Sequence, residues 1–223
     1  MPEIEASSPD PDMSDSPRFG LIVLAAGLSR RMGGPNKLLA SYMGKPLLNH
    51  ALATAADLSW ADGVVVTGRD GDSVAALAAS FGFRAVHNAA YLGGLGCSIA
   101  AGACAISGSL DALVIALGDM PLVMSGDYAI LRDAFRPGVI AMATHARERG
   151  HPVLFCASYR HALSKLSGDE GARSIVAKNA GAVVELETSN PGVLRDVDRP
   201  EDFDAAPEKI FTDMKAKGRL SAC

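Results

Sequence analysis

The chain has 223 residues, 48% of them hydrophobic, and a formal net charge of −4 at pH 7. That length supports one sizeable core and is short for two full domains. A net negative chain has no global basic field to hold a nucleic acid polymer or an anionic membrane, so any phosphate must be met locally. No apolar run approaches the ~18 residues of a membrane helix, and the N-terminus lacks a signal-peptide layout, so the expected compartment is the cytoplasm. Cys97, Cys104, Cys156 and Cys223 form no CxxC pair and no Cys/His cluster at zinc spacing, which points to reduced thiols. Cys97 stands among glycines near the segment read below as part of a pocket, but no base is visibly paired with it.

Residues 1–17 are rich in Pro, Ser, Asp and Glu and are expected to be a disordered acidic tail. Leu21-Ile22-Val23-Leu24 then reads as a buried strand that runs through Ala25-Ala26-Gly27 into a Gly-rich turn carrying Arg30, Arg31, Gly33 and Gly34, and ends at Lys37. Small residues let backbone amides approach an anion, and the cations add full charges, so the turn suits a phosphate nest. A glycine-rich surface turn with solvated cations is the alternative. The spacing is neither GxGxxG nor a P-loop. It resembles the LAAGxSxRMGxxK signature of the nucleotidyltransferase superfamily at Leu24, Ala25, Ala26, Gly27, Ser29, Arg31, Met32, Gly33 and Lys37, with one extra residue before the lysine.

Farther along, Leu47, Leu48, Ala51, Leu52 and Ala55 recur at helical spacing after Pro46. Gly63–Gly68 is predicted as a strand, Asp72–Phe81 as a helix and Arg84–His87 as a strand. Alternation of apolar strands with helices predicts an α/β, Rossmann-like three-layer fold with a mostly parallel central sheet, whose ligands lie at the carboxyl ends of the strands. Residues 88–99 form a second Gly-rich segment leading into a helix over 98–106. Ser98 is read as its N-cap, and Asn88 and Ser98 as candidates for a ribose, base or phosphate; an ordinary cap after a flexible connection is the other reading. The superfamily has a similar N…G(M)G…S-I segment there.

The strand 111–117 delivers Asp119 at its tip, before Met120-Pro121. A lone Asp in that place is either a turn former or a ligand for Mg²⁺, which takes hard oxygens from one or two carboxylates and completes its shell with water and phosphate. Gly118-Asp119-Met120-Pro121 resembles the superfamily's GDMP metal motif, which implies the second role. A helix over 125–135, a strand over 139–144, a polar loop over 145–149 and a helix over 158–166 follow. His151, in Gly150-His151-Pro152-Val153-Leu154-Phe155, is either a turn histidine before a strand or a contact to an acceptor. Arg173, after Ser167-Gly168-Asp169-Glu170-Gly171-Ala172, either answers an acceptor phosphate or pairs with Asp169. Residues 182–187 are predicted as a strand near the sheet edge. Asp198, in Asp196-Val197-Asp198-Arg199-Pro200-Glu201-Asp202, is either the cap of the helix begun by Pro200 or a second metal ligand facing Asp119. Residues 205–223 read as a polar helix or fraying tail.

These last elements resemble GHPVLF, GDxGAR and D-[IV]-D-T-P-E-D of the molybdenum cofactor cytidylyltransferase (MocA-like) branch, with Arg199 in place of Thr. The resemblance covers about residues 19–204, and the nucleotidyltransferase domain is expected over 18–204. It implies transfer of CMP from CTP to molybdopterin with release of pyrophosphate, and Mg²⁺ as cofactor. It implies catalysis by Lys37, Arg31 and Asp119, metal binding by Asp119 and Asp198, and an acceptor near His151 and Arg173. The nucleotide would lie on Leu24, Ala25, Ala26, Gly27, Arg31, Gly33, Lys37, Asn88, Ser98 and Asp119. A xanthine dehydrogenase-class molybdoenzyme would be the downstream partner, and neither a nucleic acid polymer nor a membrane is implied. The LAAG form goes with cytidine in this family and LAGG with guanosine. A sugar- or polyol-phosphate nucleotidyltransferase and a non-catalytic cofactor-delivery protein are the alternatives.

Overall fold

The computed structural model describes residues 16–203. The tails expected at 1–17, but for Ser16 and Pro17, and at 205–223 lie outside the described residues. In chain order the elements are β1 (Phe19–Ala25), β2 (Ser41–Tyr42), β3 (Lys45–Pro46), α1 (Leu47–Ala56), β4 (Asp62–Thr67), α2 (Gly71–Ser80), β5 (Arg84–His87) and α3 (Leu95–Ala105). There follow β6 (Ala112–Leu117), α4 (Ser125–Asp133), β7 (Ile140–His145), β8 (Glu148–Cys156), α5 (Arg160–Leu163), α6 (Arg173–Lys178), β9 (Val183–Glu187) and α7 (Pro200–Phe203).

Seven strands form the main sheet in the order β5-β4-β1-β6-β8-β7-β9. Every neighbouring pair is parallel except the two that β8 makes, with β6 and β7. The mostly parallel sheet and the edge position of β9 agree with the sequence reading. Because side chains alternate along a strand, β1 divides itself between two cores. Leu21, Val23 and Ala25 pack with Leu47, Leu48 and Leu52 of α1, Val74 of α2 and Leu131 of α4. Ile22 and Leu24 pack with Ile99 and Ala103 of α3, Leu163 of α5 and Ile175 of α6. The result is a three-layer α/β/α sandwich. Each fully buried leucine stabilises it by about 1.5–3 kcal/mol. Among the described residues no helix is long and apolar enough to cross a membrane.

Three local expectations are corrected. The polar stretch 145–149 is a hairpin rather than a loop: β7 turns into β8 through Ala146 and Arg147, both at positive φ (50° and 65°), and Glu187 accepts a hydrogen bond from the Ala146 amide at 2.6 Å. A two-residue turn of this kind is what joins antiparallel strands, and its exposed charged residues look like a loop in sequence. His151 consequently lies within β8 and not in a turn before it. The helix expected over 158–166 is a 3₁₀ turn (Ala157–Tyr159) followed by the short α5.

Candidate functional site

Parallel β1, β4 and β6 end at the same rim of the sheet, and the loops that leave them make the site. The loop after β1 turns at Ser29 (φ 51°) and Gly33 (φ 70°) around a 3₁₀ turn, Arg30–Met32. It is then braced from both ends: the Lys37 amide donates to Ser29 Oγ at 3.0 Å, and Asn36 accepts from the Leu38 amide at 3.1 Å while its Nδ2 reaches the Arg69 carbonyl. This bracing seats Lys37, a residue type rarely buried, with only 7% of its side chain exposed.

The burial is compensated. Lys37 Nζ donates to Asp119 Oδ2 at 2.6 Å and to Asp198, and Arg31 adds a second ion pair to Asp198. Burial works against the Lys37 ammonium, but the neighbouring carboxylates outweigh it and hold its pKa above the ordinary lysine value. Burial likewise disfavours the Asp198 carboxylate, and hydrogen bonding and charge from Lys37, with Arg31 behind it, win and hold it below the usual range.

Asp119 is set by β6: the Gly118 amide donates to the Leu24 carbonyl at 3.0 Å, which ties the tip of β6 to β1. A Cβ on Gly118 would sit 3.1 Å from that carbonyl oxygen and 2.7 Å from Leu48 Cδ1, so the close approach needs glycine. On the other side the Val197 amide donates to the Asp119 carbonyl at 2.9 Å. Val197 is buried, and the side chains on either side of it, Asp196 and Asp198, come to Asp119. Carboxylate oxygens of Asp119, Asp196 and Asp198 thereby lie within 4.8 Å of one another. Asp196 is the member that sequence reasoning passed over, although the Asp-x-Asp spacing of Asp196 and Asp198 carries the signal. Surrounding protein and the charges of Asp119 and Asp198 push its carboxyl above the ordinary range.

Asp198 is not the helix cap. Asp202, four residues on, accepts from the amides of Asp198 (2.9 Å) and Arg199 (2.8 Å) and does the capping, which leaves the Asp198 side chain to the cations. Ser98 is not a cap either. Gly94 (φ 99°) precedes the first residue of α3 at Leu95, so Ser98 sits inside the helix, its hydroxyl accepting from Asn88 Nδ2 at 3.1 Å. The residues before Ser98 look like a loop in sequence because Gly93, Gly94 and Gly96 stand among them.

A cleft of about 470 Å³ opens over these groups. Of the residues expected at the nucleotide, Leu24, Ala26, Gly27, Arg31, Lys37, Ser98 and Asp119 line it, together with Asp198. Ala25, Gly33 and Asn88 do not: Ala25 belongs to the core beneath, and Asn88 stands behind Ser98. Tyr91, Leu92 and Asp169 line it as well and were not anticipated there. His151 and Arg173 are not lining residues. Burial lowers the His151 pKa, against the charge of Asp119, and its Nδ1 is buried with no hydrogen-bond partner. Arg173 is exposed at the first position of α6 and forms no ion pair with Asp169 among the described residues.

Residues 21–183 match the family model described as the MobA-like NTP transferase domain. Nicotine blue oxidoreductase of Paenarthrobacter nicotinovorans is 31% identical over 84% of this chain and 96% of that protein. Purine catabolism protein PucB of Bacillus subtilis is 30% identical over 85% of this chain and 96% of that protein. Among solved structures, Rv0371c of Mycobacterium tuberculosis is 25% identical with a TM-score of 0.72 over 84% of this chain and 96% of that chain, and its manganese complex gives 0.70.

Proposed function

The chain belongs to the MobA-like NTP transferase family and is a nucleotidyltransferase of that superfamily, and from this premise we propose that it transfers CMP from CTP to molybdopterin with Mg²⁺ as cofactor. The observation that carries the reading is the meeting of Lys37, from the loop after β1, with Asp119 and Asp198 inside one cleft. The hard oxygen donors of Asp119, Asp196 and Asp198 suit Mg²⁺, and these residues would hold it. Held there, it would supply neutralisation of the charge that grows on the leaving pyrophosphate.

The rest falls to the chain's own groups. A phosphate oxygen of the acceptor attacks the α-phosphorus in line, the bond between the α- and β-phosphates breaks, and pyrophosphate leaves. Lys37 and Arg31 hold the triphosphate against the repulsion of the incoming anion, and amides near Ala26 and Gly27 keep it in register. The attacking phosphate is ionised at neutral pH, so no general base is needed. Ala26, in place of the glycine of LAGG relatives, adds a methyl to the cleft wall, and a contact of that size discriminates by about 1–3 kcal/mol. His151 and Arg173 are assigned to the acceptor side, and a xanthine dehydrogenase-class enzyme to the use of the product.

Pyrophosphate release from CTP or GTP with Mg²⁺ and a molybdopterin acceptor tests the proposal. CTP should be the better donor, and Asp119→Ala should abolish release while leaving the fold intact. Release with a sugar or polyol phosphate instead would move the acceptor assignment. Absence of release with every triphosphate would leave cofactor delivery without turnover. The relative named an oxidoreductase motivates one further arm, consumption of a reduced nicotinamide nucleotide, for which the proposal expects none.

A further inference from the structure

Asp169 differs from the other carboxylates of the cleft. Asp119 and Asp198 share Lys37, and Arg31 adds to Asp198. Asp169 lines the same cleft, is exposed, and has no hydrogen bond or ion pair among the described residues. A carboxylate without a cation repels a triphosphate, so it belongs opposite a part of the ligand that offers donors.

Its placement is built in. The Gly96 amide donates to the Gly168 carbonyl at 2.8 Å, which docks the loop 167–171 on the start of α3. The dock is tight: a Cβ on Gly96 would lie 2.6 Å from the Ser167 carbonyl oxygen, and one on Gly171 (φ 58°) 2.9 Å from Leu95 Cδ2. A Cβ on Gly94 would collide with Asp169 Oδ1 itself. The carboxylate therefore rests against Gly94, on the wall that Tyr91, Leu92 and Leu95 also form. An aromatic ring and two leucines suit a flat heterocycle rather than a ribose or a phosphate.

Resting on the nucleotidyltransferase reading above, we propose that Asp169 selects the base by accepting a hydrogen bond from its exocyclic amine. A carboxylate accepts from the N4 amine of cytosine and repels the O4 carbonyl that uracil presents in the same position. Asn can turn its amide to donate to that carbonyl, so Asp169→Asn should move the preference toward uracil.

The test is binding of CTP and UTP, each with Mg²⁺, to the full chain and to D169N by calorimetry, with E170Q as a control on the same loop. The wild type should bind CTP the more tightly, and D169N should lower the CTP-to-UTP affinity ratio by at least about tenfold, partly by gaining UTP affinity. E170Q should keep the wild-type ratio. An unchanged ratio in D169N overturns the proposal, and equal weakening of both nucleotides assigns Asp169 to the ribose instead. In both cases CTP binding by the wild type leaves the nucleotidyltransferase reading standing. A wild type that binds no triphosphate overturns both.

Discussion

The proposed metal site would set a divalent cation against Lys37 for the same two carboxylates, and replacing Lys37 by Met tests that competition. The ammonium sits 2.6 Å from Asp119 Oδ2 and also holds Asp198. Two unit charges about 4 Å apart interact by about 4 kcal/mol at an effective dielectric of 20, and a divalent ion doubles the repulsion. Swinging the lysine aside relieves this but forfeits charge-assisted hydrogen bonds worth about 1.5–3 kcal/mol each. The cheaper route sets the difference, so K37M should bind Mn²⁺ at least about tenfold more tightly without nucleotide, or about 1.4 kcal/mol. The same change should weaken triphosphate binding and destabilise the metal-free fold by about 3 kcal/mol, because two partly buried carboxylates lose their common cation. Mn²⁺ titration followed by electron paramagnetic resonance measures the first effect and denaturant unfolding the last. Unchanged or weaker Mn²⁺ binding in K37M would refute competition, and with it the shared use of Asp119 and Asp198.

Other expectations follow from individual contacts. Asp127 is buried and accepts from the Met124 amide, Thr188 Oγ1 and Asn190 Nδ2 at 2.7–2.8 Å, so Asp127→Ala should cost about 2–4 kcal/mol in urea unfolding and loosen the segment leading to Asp196. Gly118→Ala forces a methyl toward the Leu24 carbonyl and should cost about 1–3 kcal/mol while weakening Mn²⁺ binding through a displaced Asp119, read by calorimetry. Burial raises the Asp62 carboxyl, but hydrogen bonds from Ser107 and Arg84 outweigh it and hold its pKa below the ordinary 3.8. Its contribution is therefore complete above about pH 4 and lost as pH falls below 3.8 through the depressed value. Asp62→Asn should be less stable by about 1 kcal/mol at pH 7, discounted for half-exposed Arg84, and the gap should close toward pH 3.

Local pattern alone determined a good deal of this molecule. Leu21–Leu24 had to be a covered strand and Leu47–Ala55 a helix with one buried face, because apolar period and length select those elements before any tertiary contact forms. The glycines after β1 and the single Asp at the tip of β6 were legible for a related reason: strand, turn and small residue adjoin in the chain. Tertiary structure decided whatever depends on neighbours far apart in sequence. The reversal of β8 put His151 inside a strand, since strand direction is settled by pairing with β6 and β7 and not by composition. The choice between cap and cluster for Asp198 was made by Lys37, 161 residues away, which holds its carboxylate while Asp202 takes the amides at the start of α7. Asp196 joined Asp119 only through the backbone bond of Val197, and Asp169 entered the cleft only because three glycines allow its loop to rest on α3. Periodicity records which side of an element is covered, whereas the partner that covers it is chosen by packing and charge compensation across the whole chain.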